Sequence, residues 1–243
     1  MKKPLNHKSY GHIAHLPGSR IGPADHKCHA GQKKIACEAT RDKHDRIIVQ
    51  EKLDGANVGV ALLGDEIIPL SRAGYRAATS PFLLHHYFAA WVAHHQDRFR
   101  AILKDGERIC GEWLLVAHGT KYDLPHEPFV AFDIMYSKHQ RITFDAFTER
   151  AAVGEFITPK IISDGPPMSI ECALSTLGEF GFHGAKEPIE GAVWRVERSK
   201  LIDKSKGNIA GRKPVVDFLV KYVKPEKIDG KYLNGRTITN NYS

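Results

Sequence analysis

From Arg46 onward the apolar and polar positions alternate with short periods that predict strands. "RIIVQEK" (46–52) is a β-branched run ending in a lysine, and "NVGVALL" (57–63) sets Val58, Val60 and Leu62 on one face. "GDE" (64–66) reads as a hairpin turn into the strand "IIPLS" (67–71). The period changes over "PFLLHHYFAAWVAHHQDRFRAIL" (81–103), where Leu84, Phe88, Trp91, Phe99 and Ile102 follow helical spacing and Pro81 suits a first turn. Strands are expected at "RICGEWLL" (108–115) and "PFVAFDIMY" (128–136), then a helix from Phe144 to Val153 and a shorter one, "IECALSTLG" (170–178), stopped by its glycine. "GAVWRVE" (191–197) and "VVDFLVKYV" (215–223) are the last two strands, separated by a basic loop over 198–213. Residues 1–44, rich in His, Gly, Pro and Lys, show little periodicity. They are expected to form an irregular basic arm packed on a domain spanning 45–243. Strands and helices mix without a regular βαβ rhythm, which predicts an α+β fold of largely antiparallel sheets with flanking helices.

Composition narrows the setting rather than the fold. The chain has 243 residues with 42% hydrophobic content, enough for one large domain. Lys plus Arg number 35 against 28 Asp plus Glu, and the net charge of +7 favours polyanionic partners. The four cysteines are scattered, without the spacing of a disulfide scaffold. The basic N-terminus lacks the apolar core of a secretory signal, and no apolar run approaches the ~20 residues that span a bilayer. A cytoplasmic protein with no membrane partner is the expectation.

The candidate chemistry centres on "KLDG" (52–55). Alone, it is equally a lysine ending a strand, with Asp54-Gly55 turning a hairpin. A nucleophilic lysine needs its pKa lowered by burial or by nearby positive charge. The apolar strand before Lys52 is expected to supply the burial, and Arg72 and Lys221, if folded against it, would supply the charge. Downstream come "SRAG" (71–74), "CGEWL" (110–114), "FVAFDIMY" (129–136), "EGAVWR" (190–195) and "FLVKYVKP" (218–225). In this order, and with "EKLDGAN" (51–57) ahead of them, the chain from about residue 46 to 225 resembles the covalent nucleotidyltransferases: ATP-dependent RNA ligases, DNA ligases and mRNA-capping enzymes.

The resemblance implies the ligase adenylation-domain fold, with an ATP pocket between its sheets. It makes Lys52 the AMP-accepting nucleophile, sets Lys221 on the α-phosphate, and has Glu190 position a divalent cation, Mg²⁺ or Mn²⁺. Glu112 would bond the ribose, Phe132 would stack on adenine, and Arg72 would meet a phosphate or an incoming 5′ end. Glu51, Asn57 and Lys224 complete the implied nucleotide-binding set. Each also has a plainer reading: Glu112 a solvated strand carboxylate, Phe132 a core aromatic, Arg72 a surface arginine, Glu51 a strand-end charge.

Asn57 makes the motif K-x-x-G-x-N, which resembles RNA ligases, particularly the second phage type and its bacterial relatives. Residues 226–243 are too few for the OB-fold that DNA ligases and capping enzymes place after this domain, so none is expected. The lysine strand departs from the K-x-K pattern: Val223 stands at the second position and Lys224 comes one place late. The implied activity is ATP-dependent joining of RNA 5′-phosphate and 3′-hydroxyl ends in RNA repair. The protein would act as a monomer, with an end-healing kinase or phosphatase as a further partner. The rival readings are a degenerate RNA-end or nucleotide-binding module, and a ligase for DNA or mixed ends.

In the arm, His26, Cys28, His29, Cys37 and His44 can be read as a zinc cluster, although their spacing fits no standard finger. The other reading packs the basic arm beside the ATP pocket to help bind pyrophosphate or RNA. The pairs His85-His86 and His94-His95 read as solvated or packing residues. The loop 198–213 reads as a solvated excursion, or as a track for RNA phosphates.

Overall fold

Alternating burial along the predicted strands closes them into two sheets whose inner faces look at one another across a cavity. The computed structural model describes residues 2–202, 211–228, 230–233 and 237–242. The first sheet contains β1 (Ala14–His15), β2 (Asp45–Lys52), β8 (Ile161–Gly165), β9 (Gly191–Leu201) and β10 (Arg212–Val223), in the order β1-β10-β9-β2-β8. The second contains β3 (Ala56–Leu63), β4 (Glu66–Ser71), β5 (Arg108–Trp113) and β7 (Phe129–Met135), in the order β4-β3-β5-β7. Pairing is antiparallel throughout except β1 with β10, and the short β6 (Asp123–Leu124) with β11 (Asn241–Tyr242). Pro69, which cannot donate to a ladder, lies on the edge strand β4.

The period of two decides which side chains reach the cavity. In the first sheet Ile47, Val49, Ala192, Trp194, Val196 and Val220 build an outer core with helices α1 (Ala30–Cys37) and α5 (Ile170–Leu177). The alternate residues Gln50, Lys52, Val193, Arg195, Leu219 and Lys221 line the cavity. In the second sheet Val58, Val60, Ile109, Trp113, Phe129 and Ala131 pack outward against α2 (Leu83–His94), α3 (Gln96–Ile102) and α4 (Phe144–Val153). Asn57 and Glu112 face inward. The α+β architecture of antiparallel sheets with flanking helices is thus the expected one.

Four local expectations are corrected. The helix predicted over 81–103 breaks at His95, whose backbone leaves the helical region (φ −118°, ψ 20°). The rings of His94 and His95 take the carbonyls of Ala90 and Trp91 at 2.8 and 2.7 Å, where a continuing helix would place its own N–H groups. The arm is not wholly irregular: His29 and Gln32 form a capping box that starts α1, and Ala36 and Cys37 bury against the outer core. β9 and β10 run on through Leu201 and Arg212, so both ends of the predicted loop 198–213 are paired strand. Arg198 there is tied to Asp42 and Asp45; residues 203–210 lie outside the described residues. The fourth, β8, went unpredicted because it is a half-buried edge strand with Ser163, Asp164 and Gly165 at its end.

Candidate active site

Lys52 is the last residue of β2, on the face that looks into a cavity of about 570 Å³ between the sheets. Its Nζ donates to Glu190 Oε2 at 2.5 Å and to the Leu53 carbonyl at 3.3 Å. Burial by itself favours the neutral amine, but the carboxylates of Glu190 and Glu112 outweigh it and hold the pKa above that of an ordinary lysine. This corrects the expectation of a lowered pKa: the carboxylates beside Lys52 favour its ammonium form. On the acids the pull of Lys52 is outweighed by burial. Burial pushes the Glu112 carboxyl up to about 7 against the pull of Lys52, and burial likewise raises Glu190.

The turn after Lys52 is held from below. Asp54 accepts from Gly119 N–H at 3.2 Å and Thr120 Oγ1 at 2.9 Å, while its own N–H donates to Tyr122 OH at 3.0 Å. Lys227 Nζ lies 3.6 Å from the same carboxylate and donates to Thr120 Oγ1 and the Pro188 carbonyl. Gly55 donates its N–H to Glu112 Oε1 at 3.1 Å. A Cβ on Gly55 would come within 2.6 Å of the Trp113 carbonyl oxygen and 2.7 Å of Leu114, so the glycine is required by close packing on β5.

Phe132 reaches the cavity through a β-bulge. Cys110 pairs with Asp133 and Gly111 with Ala131, which leaves Phe132 without a partner on β5 and re-aims its ring. Tyr10 of the arm meets it edge-on at 5.0 Å. Tyr10 OH donates to Asp133 Oδ2 at 3.1 Å; Asp133 also binds Arg195 at 3.1 Å, and Arg195 binds Glu197 at 2.9 Å. This buried chain of groups fastens the arm to both sheets. The arm forms a cavity wall that includes Tyr10, His15, Arg20 and Asp25.

The remaining expected residues fall as follows. Asn57 pairs with Glu112 across β3 and β5, and its buried Oδ1 accepts no hydrogen bond among the described residues. Lys221 sits opposite His15 on β10, its pKa lowered by burial and by Lys52, with Asp25 Oδ1 3.9 Å from its Nζ. Arg72 lines the cavity from the turn after β4, 3.5 Å from His12 Nδ1. Glu51 shares its face of β2 with Ile47 and Val49; its carboxylate accepts from Phe182 N–H at 3.0 Å, and burial lifts its pKa to about 7. Lys224 is not a cavity residue; its N–H donates to the Glu190 carbonyl at 2.8 Å. The sequence sets the arm beside the pocket without singling out its wall residues, and it does not single out Asp54, Lys227 or Arg195. Asp54 was in the quoted motif but taken for a turn residue, and the arm residues had no periodic signal to mark them.

A family model described as RNA ligase matches residues 45–231. The chain belongs to the RNA ligase family. Among solved structures, this RNA ligase family member is similar to a mutant Naegleria gruberi RNA ligase in apo form (14% identity, TM-score 0.53, covering 90% of this chain and 57% of that one). A mutant of that ligase with ATP and Mn matches at 15% identity and TM-score 0.52, covering 89% and 58%. One with AMP and Mn matches at 14% and 0.51, covering 91% and 61%. At these identities the likeness concerns the fold, and the chain spans about three-fifths of the length of those ligases. A search among curated proteins gives no match.

For a metal, the arm offers no zinc site: among the described residues no three His, Cys, Asp or Glu side chains gather around a common point, and His29 is spent as the cap of α1. Hard divalent cations ask less, since one or two carboxylates together with substrate phosphates suffice. The buried carboxylate of Glu190 at the cavity floor, with Glu112 beside it and the unpartnered Asn57 Oδ1, fits that demand.

Proposed function

We propose that this family member is an ATP-dependent RNA ligase that joins a 5′-phosphate to a 3′-hydroxyl through AMP carried on Lys52. The observation that carries the reading is the placement of the Lys52 amine against Glu190 at the floor of a cavity walled by both sheets. Lys52, as a neutral amine, would attack the α-phosphorus of ATP as pyrophosphate leaves, forming the lysyl-AMP bond. A 5′-phosphate oxygen would then take the AMP from Lys52, and a 3′-hydroxyl would attack that 5′-phosphorus, forming the phosphodiester and releasing AMP.

Phosphoryl-type transfer depends on positioning and on neutralising oxygen charge, and the cavity's own groups are suited to both. Lys221 would hold α-phosphate oxygens, Glu112 the ribose and Phe132 the adenine face. The proton on Lys52 must leave before attack, and the carboxylates beside it oppose that. A divalent cation held by Glu190 and the substrate phosphates would offset the charge of both, weakening the grip of Glu190 on the ammonium. The same reading places the protein in the cytoplasm as a monomer working in RNA repair, on ends prepared by a kinase or phosphatase.

One observation favours a second reading. A lysine held as an ammonium by two carboxylates is what a non-catalytic nucleotide-binding module could also keep. Incubation with Mg²⁺ and ATP labelled at the α-phosphate separates the two. The ligase reading expects covalent label on the wild type and none on Lys52→Ala; an unlabelled wild type supports the module, and label on Lys52→Ala means another nucleophile. Offering single-stranded, nicked and splinted ends of RNA and of DNA then tests the substrate.

A further inference from the structure

The arm places a carboxylate where an incoming phosphate would go. Asp25 lies in a turn closed by its own N–H on the Gly22 carbonyl at 3.1 Å, and its side chain is ringed by groups that bind anions. Gly22 N–H donates to Oδ2 at 3.2 Å, and His12 Nδ1 lies 3.4 Å from Oδ1. His15 Nε2 stands 3.3 Å from Oδ2, and the Lys221 ammonium stands 3.9 Å from Oδ1.

His15 is 2% exposed and is oriented by its other nitrogen. Ser19 Oγ lies 2.7 Å from Nδ1 and accepts from Val223 N–H at 2.9 Å. Ser19 Oγ also lies 3.3 Å from the Arg20 carbonyl, so its proton can serve that carbonyl or Nδ1. His15 Nε2 is buried and has no hydrogen-bond partner among the described residues. The wall thus holds a buried, unpartnered imidazole nitrogen next to a lysine, with a carboxylate in front of both. A carboxylate and a phosphoryl group present similar oxygens to such donors. The two cannot share them, because like charges at this separation repel.

We propose that Asp25 is a resident anion in a pyrophosphate subsite built by Gly22, His12, His15 and Lys221, and that it is displaced when the triphosphate tail enters. The identity of the tail rests on the ATP-dependent reading above; the subsite itself requires only an anion. Gly22, His12, His15 and Asp25 come from the arm, before the residues matched to the family, and Lys221 from within them. Asp25 would select for ligands carrying enough charge to replace it, favouring ATP and pyrophosphate over AMP.

Inorganic pyrophosphate and AMP, each titrated calorimetrically in chelator into the full chain, test this without any enzymatic step. Asp25→Asn keeps the side-chain oxygen that caps the turn while removing the charge. It is expected to bind pyrophosphate up to about fivefold more tightly than wild type, the effect of removing one like charge from a partly exposed site. His15→Ala is expected to weaken pyrophosphate binding, and either variant should change AMP affinity less than pyrophosphate affinity, since AMP brings one phosphoryl group to Lys221 where pyrophosphate brings two. Melting curves confirm that each variant is folded, with Asp25→Ser as a second neutral variant should the amide unfold the turn. Unchanged or weaker pyrophosphate binding by a folded neutral Asp25 variant overturns the proposal, as does equal tightening for AMP. Absence of lysyl-AMP on the wild type would overturn the ligase reading and leave the pyrophosphate titration to be judged separately.

Discussion

Replacing Glu51 by glutamine measures what it costs to bury a carboxylate with no cation beside it. Glu51 is 2% exposed, and burial lifts its pKa from 4.5 to about 7, with only the Phe182 N–H acting against it. Between those two values the folded chain binds a proton that the unfolded chain has released, so folding stability falls as pH rises across this window. Above pH 7 both states are ionised and the loss is complete, about 3 kcal/mol; below pH 4.5 both are protonated and it vanishes. Glutamine keeps an oxygen for Phe182 N–H but adds a buried amide donor, worth about 1 kcal/mol if unpaired. Glu51→Gln is therefore expected to be about 2 kcal/mol more stable than wild type at pH 8 and about 1 kcal/mol less stable at pH 4. Urea unfolding at a series of pH values, followed by the fluorescence of the buried Trp113 and Trp194, reads the difference. A difference that does not change with pH refutes the assignment of a raised pKa. One that favours glutamine more at pH 4 than at pH 8 refutes its sign.

Four further outcomes are expected. Gly55→Ala drives a methyl into the Trp113 carbonyl and Leu114, and should cost about 2 kcal/mol in urea unfolding and most of the lysyl-AMP yield. Arg195→Ala leaves Glu197 and part of Asp133 buried without their cation, and should lower stability by about 3 kcal/mol. Because neighbouring carboxylates hold Lys52 protonated, single-turnover formation of lysyl-AMP should accelerate from pH 7 to 9.5, and Glu190→Gln should move that profile to lower pH even where it reduces the maximum. Phe132→Ala should weaken ATP binding about tenfold by calorimetry, the worth of one lost stacking face, with urea stability changed far less.

Much of the scaffold was legible because its signals are local. The β-branched runs 46–52 and 57–63, the glycine turns and the helix Phe144–Val153 each declare themselves within a few residues. Misreadings arose where a distant partner decides. His94 and His95 end α2 by capturing its carbonyls, a choice that the apolar spacing through Phe99 conceals. The strand β8 exists because β2 offers it a ladder. α1 carries few apolar residues, and buries them only because the first sheet has an uncovered outer face.

The site divides in the same way. The ordered motifs from Lys52 to Lys221 could be read along the chain, since a covalent nucleophile and its phosphate and ribose partners need particular residue types in particular places. Their states could not. The charge on Lys52 depends on Glu190 and Glu112, which arrive from β9's approach and from β5, far away in sequence. Phe132 faces the cavity because of a bulge, Gly55 is required by a carbonyl of another strand, and the wall of His15 and Asp25 comes from a segment with no periodic pattern. The sequence by itself determined which residue types and which strands are available, because backbone preference and hydrophobic alternation act over a few neighbours. Only the tertiary structure decided protonation, side-chain aim and the company each group keeps, because burial and Coulomb interaction depend on distances in space between residues far apart along the chain.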